Sequence, residues 1–500
     1  MTCHPAAYYR DALADMLLSS TGPMDCVISS VGADSRQLLP GALFCAIKGE
    51  KADGHDFIPA ALAAGATAIM LERPCALPPD VVSFQVKEPY RAMAVLAEAA
   101  AGCPGHALRI VGITGTNGKT TSAYLLRDIF RQASYRPAMI GTVVYDLGDG
   151  NTRNADRTTP TPFDLQDLFT KIKRAGADPV VVEISSHALA QHRLGTAACA
   201  ATLFTNLTRD HLDYHHDFEQ YYQAKKILFT TGRKPGTPII INTDDPYGRR
   251  LATELDDKDA LLTYSLHQAA QAKLQVENVV LAPEGSSFCI RDSDLAGVWR
   301  LRTPLPGLFN VYNAAGAAIL AKAMGVPLDV ITRALADCHG APGRMQRVKD
   351  ITRCAVFIDY AHTDDALANA LETLRALRPK RLTVVFGCGG NRDRSKRPLM
   401  GKVANDCADR IVVTSDNPRG EPPHDIIDQI LAGITNHEKA RAVCDRREAI
   451  FQALDDAAPG DVVLIAGKGH EDYQEIMGVK HPFSDIAVAQ NWAAQNQQES

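Results

Sequence analysis

Most features that would point to a secreted, membrane-bound or nucleic-acid-binding protein are missing from this chain. Its 12 cysteines are scattered and contain no CxxC pair, which argues against a disulfide framework and for reduced thiols in the cytoplasm. The first residues have no charged segment followed by an apolar core, so no signal peptide is expected. The longest apolar-looking stretch, "IPAALAAGATAIML" at 58–71, is too short and too alanine-rich to span a bilayer. Neither sign of charge dominates. The 53 basic and 58 acidic residues leave a net charge of −5, which argues against a dominant nucleic-acid footprint. There is no internal repeat and no low-complexity linker. What is present is ordinary globular material, 46% hydrophobic and 22% charged, in a chain long enough for two to four domains.

Glycine and proline punctuation divides the chain into three zones, 1–105, 106–345 and 346–500. The first alternates short apolar runs ("ALFCAIKG", "ATAIMLE", "VVSFQV") with turns, ends in an alanine-rich helical pattern at 91–102, and is closed by "GCPGHA" at 102–107. The second opens with a strand pattern at 108–113 and continues with "PVVVEI", "ATLFTN" and "PIIIN", separated by helical segments. Nearly continuous apolar strands alternating with helices predict a parallel α/β sheet. The stretch 260–303 alternates differently and reads as an antiparallel appendage. In the third zone "CAVFIDY", "RLTVVFGCGG", "RIVVTSDNP" and "DVVLIAGKGH" each end in a glycine- or acid-bearing turn. Open α/β sheets bind ligands beyond the carboxyl ends of their strands, and the chemistry-bearing residues fall there repeatedly.

One such place is "VGITGTNGKTTS" at 111–122. A strand, then Gly115, Thr116, Asn117 and Gly118, then Lys119, Thr120 and Thr121 opening a helix, is the context of a phosphate-binding loop. Lys119 would reach phosphates and the Thr120 hydroxyl would ligate Mg²⁺. The strict G-x-x-x-x-G-K-[ST] pattern, however, wants glycine where Ile113 stands. Glu183 ends the strand "VVVE", where an acid is placed to ligate the same ion. The histidine-rich stretch "RDHLDYHHD" at 209–217 fits no zinc signature. On a helix over 217–229, Lys225 falls inside a stripe of Phe218, Tyr221, Leu228 and Phe229, while Lys226 lies to the side. A lysine there must snorkel, pair or be modified.

Together these strings resemble the Mur ligases, ATP-dependent amino-acid-adding enzymes of peptidoglycan synthesis. The resemblance rests on "GTNGKTT", "EISSHALAQHR", "TNLTRDHLDYH", "NVYNAAGA", "GRMQ", "DYAHTDDAL", "GCGGNRDRSKRPLM" and "GKGHEDYQ", which run in family order over nearly the whole chain. It implies three domains: an N-terminal UDP-substrate domain, a central parallel-sheet ATPase-type domain and a C-terminal Rossmann-like domain. The shortened loop G-T-N-G-K-T is then the normal form. ATP would phosphorylate the carboxylate of a UDP-muramoyl dipeptide, and an incoming amine would displace phosphate through a tetrahedral intermediate. Carried over by match, Gly115 to Thr121 would cradle ATP, with Asn310, Asn313, Arg344 and Asp359 also meeting the nucleotide; His362 completes the "DYAH" string. Lys119 would sit on the phosphates, Thr120 and Glu183 would hold one Mg²⁺, and His211 would help hold a second. Lys225 would be carbamylated, an oxygen-bearing anion suited to Mg²⁺. Ser35, Thr158, Thr159, Ser185, Gln191 and Arg193 would contact the UDP-muramoyl peptide. In "GEKADG" at 49–54, where members vary, Lys51 to Asp53 are candidate uridine contacts, and Asp364 replaces a frequent proline.

Asp416, Asn417, Pro418 and Arg419 match the signature of the subtype that adds meso-diaminopimelate. Arg419, supported by Arg392, would hold the distal carboxylate bidentately. Glu471 would take the distal ammonium and Gly467 would offer backbone contact. A lysine-adding member is the alternative within the family, with a folylpolyglutamate synthetase-like protein behind it. A phosphate-loop kinase or switch and a non-catalytic UDP-sugar binder are rivals from other classes. The expected partners are small-molecule substrates only, with no membrane span, in a monomeric enzyme of the bacterial cytoplasm.

Overall fold

The computed structural model describes residues 3–49, 52–267, 272–292 and 297–496. The candidate uridine contact Lys51 lies outside the described residues. The chain divides into two compact units, one of Met1–Gln275, Arg291–Gly297 and Ala315–Ile331, the other of Val276–Ile290, Val298–Ala314 and Thr332–Ser500. Among the described residues no helix is long and apolar enough to cross a membrane.

The first unit carries two large sheets and a short two-stranded one, His4–Pro5 with Val27–Ile28. Its N-terminal sheet has the order Leu17–Thr21, Val82–Val86, Ala68–Leu71, Leu43–Ala46, Val31–Gly32. Only the outer strand Leu17–Thr21 runs antiparallel. The alanine-rich helix Pro89–Ala100 packs Met93 and Leu96 into a core with Leu43, Met70 and Phe84. The central sheet runs parallel through Ala138–Ile140, Val180–Glu183, Ile110–Thr114, Ala201–Phe204, Ile239–Asn242 and Leu261–Ser265. Every residue of Ile110–Thr114, Val180–Glu183 and Ala201–Phe204 is buried, as strands covered on both faces require. Ile110–Thr114 lies between the other two, so the loop that follows it emerges between Glu183 and Thr205.

The expectation of an antiparallel appendage over 260–303 needs correction at its start. Leu261–Ser265 continues the parallel sheet, and Leu274 and Gln275 pair parallel to it. The antiparallel turn comes later, where Pro283 and Glu284 alone connect Leu274–Ala282 to Gly285–Asp292; a two-residue link joins only antiparallel strands. The alternation of 274–303 draws the neighbouring, half-buried strand Leu261–Ser265, which is paired on both sides, into the same pattern.

The second unit holds a six-stranded sheet of order Gln346–Arg347, Ala355–Asp359, Val462–Ala466, Leu382–Phe386, Arg410–Val413, Ala440–Ala442, parallel except for the first pair. Helices Asp364–Ala376, Lys396–Cys407 and Pro423–Leu431 bury Leu371, Met400 and Ile430 on one face. Arg446–Asp455 and Asp485–Asn496 bury Ile450, Leu454 and Trp492 on the other. Val462–Ala466 inserts between strands that are earlier in sequence. This switch point opens a crevice at the carboxyl ends, next to Asp359, Gly467 and Asp416.

Beneath that crevice, Arg446 and Asp485 form a wholly buried pair with two contacts of 2.8 Å. Arg446 also donates to the carbonyl of Ala466 at 2.8 Å. Removing one partner strands a buried charge, so Asp485→Ala is expected to lower the stability of this unit by roughly 3–5 kcal/mol. A fall in its urea midpoint checks this.

Candidate active site

The strand Ile110–Thr114 passes into Gly115 at φ 152° and Gly118 at φ 86°, and the helix Lys119–Gln132 starts at once. A Cβ on Gly115 would run into Thr205 Oγ1 and the Asn206 backbone, so this turn excludes a side chain. Ile113, where the strict motif wants glycine, is a fully buried strand residue paired with Glu183 and Leu203. The loop simply begins two residues later. Lys119 Nζ donates to the carbonyls of Gly115 and Thr116, each at 2.8 Å. Asn206 braces the loop by accepting from Asn117 N at 2.9 Å, and Thr205 Oγ1 donates to Asn117 O at 2.6 Å. Thr116 Oγ1 lies 3.1 Å from the Tyr221 hydroxyl. Thr121 is buried in the first turn of the helix.

Glu183 is fully buried. Its Oε2 accepts from Thr120 Oγ1 at 2.8 Å and from Thr142 Oγ1 at 3.0 Å, while its Oε1 accepts from Thr142 N at 2.9 Å. Gly141 makes the space, since a Cβ there would overlap Glu183 Oε1. Carboxylate and hydroxyl oxygens side by side are hard donors that suit Mg²⁺, an ion that takes one or two protein ligands and completes its shell with phosphate and water. Among the described residues no three His, Cys, Asp or Glu side chains converge on one point. Thr142 carries no sequence signal. It comes into play because the strand Ala138–Ile140 pairs beside Val180–Glu183.

Lys225 lies on the helix Phe218–Lys226, which ends in a 3₁₀ turn at Ile227–Phe229, and only 1% of it is exposed. Its Nζ donates to Gly115 O at 2.9 Å and sits 4.6 Å from the centre of the Tyr221 ring. Burial, and then the like charge of Lys119, hold its pKa well below the usual lysine value. A lowered pKa raises the share of the neutral amine, which is the nucleophilic form. Lys226, by contrast, turns outward to Glu254 at 2.9 Å. His211, at φ 52°, places its ring 4.8 Å from that of His187 and 6.3 Å from that of Tyr221. The Tyr221 ring thus lies next to both His211 and Lys225.

A chain of hydrogen bonds leads away from Glu183 through five of the six expected muramoyl-peptide residues. Thr142 Oγ1 lies 3.1 Å from Thr158 Oγ1, and Thr159 Oγ1 donates to Glu183 O at 2.8 Å. Ser185 N donates to Thr159 Oγ1 at 3.0 Å. Arg193 donates to Thr159 O at 2.6 Å and to Gln191 Oε1 at 2.9 and 3.0 Å. Ser35 stands elsewhere, on the 3₁₀ turn Ser35–Gln37 of the N-terminal sheet, where Asp34 caps Arg36. Asp53 is engaged locally, accepting from His55 N at 3.0 Å and from Arg73 at 2.7 Å.

Asn310, Asn313, Arg344 and Asp359 belong to the second unit. The two asparagines are buried one turn apart on the helix Leu308–Ala323. Asp359 accepts from Met345 N at 2.7 Å and Ala361 N at 2.8 Å. Burial raises its pKa, and the Arg344 guanidinium opposes the rise. Arg344 stacks 5.0 Å over Tyr360. His362 Nδ1 lies 2.9 Å from Tyr360 O, and burial lowers its pKa.

At the crevice, Arg419 adopts φ 52°. Its backbone is clamped to the hairpin strand Tyr473–Ile476, with Arg419 N donating to Glu475 O at 2.9 Å and Met477 N donating to Arg419 O at 2.7 Å. Its guanidinium reaches Gly390 O at 3.0 Å and Glu475 at 3.2 Å. A Cβ on Gly389 would fall 2.8 Å from Arg419 Nη1 and 3.7 Å from Arg392 Cγ, so the two arginines flank one glycine. Arg392 is exposed, and Pro418 is buried behind Arg419. Gly467 has φ 114°, and a Cβ there would approach Asp416 Oδ2 at 2.5 Å. Asn417 Nδ2 donates to Glu471 Oε2 at 2.8 Å. Two residues without an assigned role complete this group: Glu475, and the fully buried Lys468 beside Asp416, Asn417 and Glu471.

Three family profiles match in order along the chain: "Mur ligase family, catalytic domain" at 27–104, "Mur ligase middle domain" at 113–321 and "Mur ligase, glutamate ligase domain" at 343–469. The chain is 42% identical to a UDP-N-acetylmuramoyl-L-alanyl-D-glutamate--2,6-diaminopimelate ligase of Solibacter usitatus over 92% of both chains. The chain belongs to the Mur ligase family. A relative of the same description from Thermosynechococcus vestitus is 43% identical over 93% of both chains. A solved structure of a ligase so described, 32% identical, superposes with a TM-score of 0.70, covering 98% of this chain and 99% of that one. Mur ligases are ATP-dependent ligases of three α/β domains, and the three large sheets described above follow that plan.

Proposed function

We propose that this Mur ligase adds meso-diaminopimelate to UDP-N-acetylmuramoyl-L-alanyl-D-glutamate with hydrolysis of ATP. The observation that carries the choice of amino acid is the arrangement of Arg419, Arg392, Asn417 and Glu471 around one crevice, where cationic and anionic groups complement a distal carboxylate and ammonium. The functional domains are 1–105 for the UDP substrate, 106–345 for ATP and 346–500 for the incoming amino acid.

Gly115 to Thr121 bind the phosphates through the loop amides and Lys119, with Asn310, Asn313, Arg344 and Asp359 at the rest of the nucleotide. Ser35, Thr158, Thr159, Ser185, Gln191 and Arg193 hold the UDP-muramoyl peptide. A carboxylate oxygen of that peptide attacks the γ-phosphorus and ADP leaves. The amine of diaminopimelate then attacks the acyl carbon, phosphate departs, and the nitrogen loses a proton. Such a reaction needs positioning and charge neutralisation more than an enzyme nucleophile. Thr120 and Glu183 would hold one Mg²⁺, with His211 and carbamylated Lys225 serving a second; bound magnesium neutralises phosphate charge. Carbamylation joins the unprotonated Lys225 nitrogen to CO₂ with loss of one proton, and the depressed pKa supplies that nitrogen. The enzyme is read as a cytoplasmic monomer.

Glu183→Gln keeps the side-chain shape but loses the charge. It is expected to lower kcat roughly 10²- to 10³-fold and raise the Mg²⁺ concentration for half-maximal rate, with little change in melting temperature. Titrating Mg²⁺ against initial rate checks this. The function itself is tested by phosphate release, which should require both the UDP-muramoyl dipeptide and meso-diaminopimelate. Release with L-lysine in its place would favour the lysine-adding alternative.

A further inference from the structure

Lys468 is completely buried, yet it ends among the residues assigned to the amino acid. Its Nζ donates to Asn417 Oδ1 at 3.0 Å and to Glu471 Oε2 at 3.2 Å, and lies 3.8 Å from Asp416 Oδ1. Three of the residues in the crevice thus share one cation. We propose that Lys468 is a positioning residue for the incoming amino acid, setting the orientation of Asn417 and Glu471. The inference rests on the reading of this crevice as the diaminopimelate site.

The hydrogen bonds show how it acts. Asn417 Oδ1 receives two donors, Lys468 Nζ and Glu475 N at 2.9 Å. An amide oxygen can accept both, whereas an amide nitrogen could accept neither. The side-chain amide is therefore locked with Nδ2 towards Glu471 Oε2, at 2.8 Å. Lys468 bonds the same Oε2, so both protein donors hold one oxygen of a carboxylate that remains 19% exposed. Neither donor engages the other oxygen. Lys468 also offsets one of the two nearby carboxylates, Asp416 and Glu471, so that they do not repel each other behind the ligand. Without this cation, Asn417 Oδ1 keeps only the Glu475 N–H and Glu471 Oε2 keeps only Asn417 Nδ2, so both side chains are held less firmly and must be ordered when the amino acid binds.

The test compares wild type with Lys468→Met and Lys468→Gln in the full-length enzyme, by phosphate release with each substrate varied in turn. Glutamine retains a donor for Asn417 without the charge and serves if the methionine variant does not fold. The expected result is a rise of about tenfold or more in KM for meso-diaminopimelate, larger in Lys468→Met, with KM for ATP and for the UDP-muramoyl dipeptide within about twofold of wild type. Equal increases in all three KM values, or an unchanged diaminopimelate KM, would overturn the positioning role. If wild type itself releases no phosphate in response to diaminopimelate, the reading of the crevice fails first and takes this inference with it.

Discussion

Lys225→Met is expected to nearly abolish ligation while leaving the protein as stable as wild type or more so. Lys225 is an amine held in a buried position next to another cation, Lys119. Its hydrogen bond goes to Gly115 O, which Lys119 Nζ also serves. Methionine fills similar volume and leaves that carbonyl a donor, so little folding free energy is lost. The pH dependence gives the sign. A lysine depressed in the native state binds fewer protons there than in the unfolded chain, so stability increases with pH from its depressed native value up to the usual value near 10.5. Below 10.5 the buried amine therefore carries a penalty. In bicarbonate-free buffer Lys225→Met should lack that penalty and melt higher near neutral pH. Its kcat should fall by roughly three orders of magnitude, the scale on which lost electrostatic stabilisation acts. Urea melts across pH, with steady-state rates, check both halves. A destabilised variant with residual rate would make Lys225 structural.

Arg419→Ala is expected to raise KM for meso-diaminopimelate by roughly two orders of magnitude, with KM for ATP nearly unchanged. The backbone of Arg419 is fixed by its bonds to Glu475 and Met477, and alanine preserves both. What disappears is the guanidinium beside Gly389, and with it a planar donor for a carboxylate. A site built to pair a charged group loses heavily when that pairing is removed. The left-handed backbone of Arg419 at φ 52° is held in place by its two bonds to Glu475 and Met477. Initial rates with diaminopimelate varied at saturating ATP provide the check.

Short strings carry much of this in the sequence because the chemistry is local. Glu183, Thr120 and Lys119 sit at the ends of buried strands or the start of a helix, where periodicity and glycine spacing announce them. Lys225 is visible as a charge within an apolar stripe. Thr142 is not, since a threonine after "IG" has no signature, and its bond to Glu183 depends on which strand pairs with Val180–Glu183. Lys468 is hidden for a similar reason. The string "GKGHE" shows a lysine but not that three partners from two separate strand ends bury it. The end of the parallel run is misread from sequence at Leu261–Ser265 because alternation does not reveal strand direction. Ile113 shows the reverse case, a mismatch to a motif that disappears once the residue is seen inside the strand.

The most direct measurement is the mass of the product formed when the enzyme is given ATP, Mg²⁺, UDP-N-acetylmuramoyl-L-alanyl-D-glutamate and an equal mixture of meso-diaminopimelate and L-lysine. The expected outcome is a single UDP-muramoyl tripeptide carrying diaminopimelate, together with ADP and phosphate. A product carrying lysine, or ADP formed without any tripeptide, would contradict the assignment.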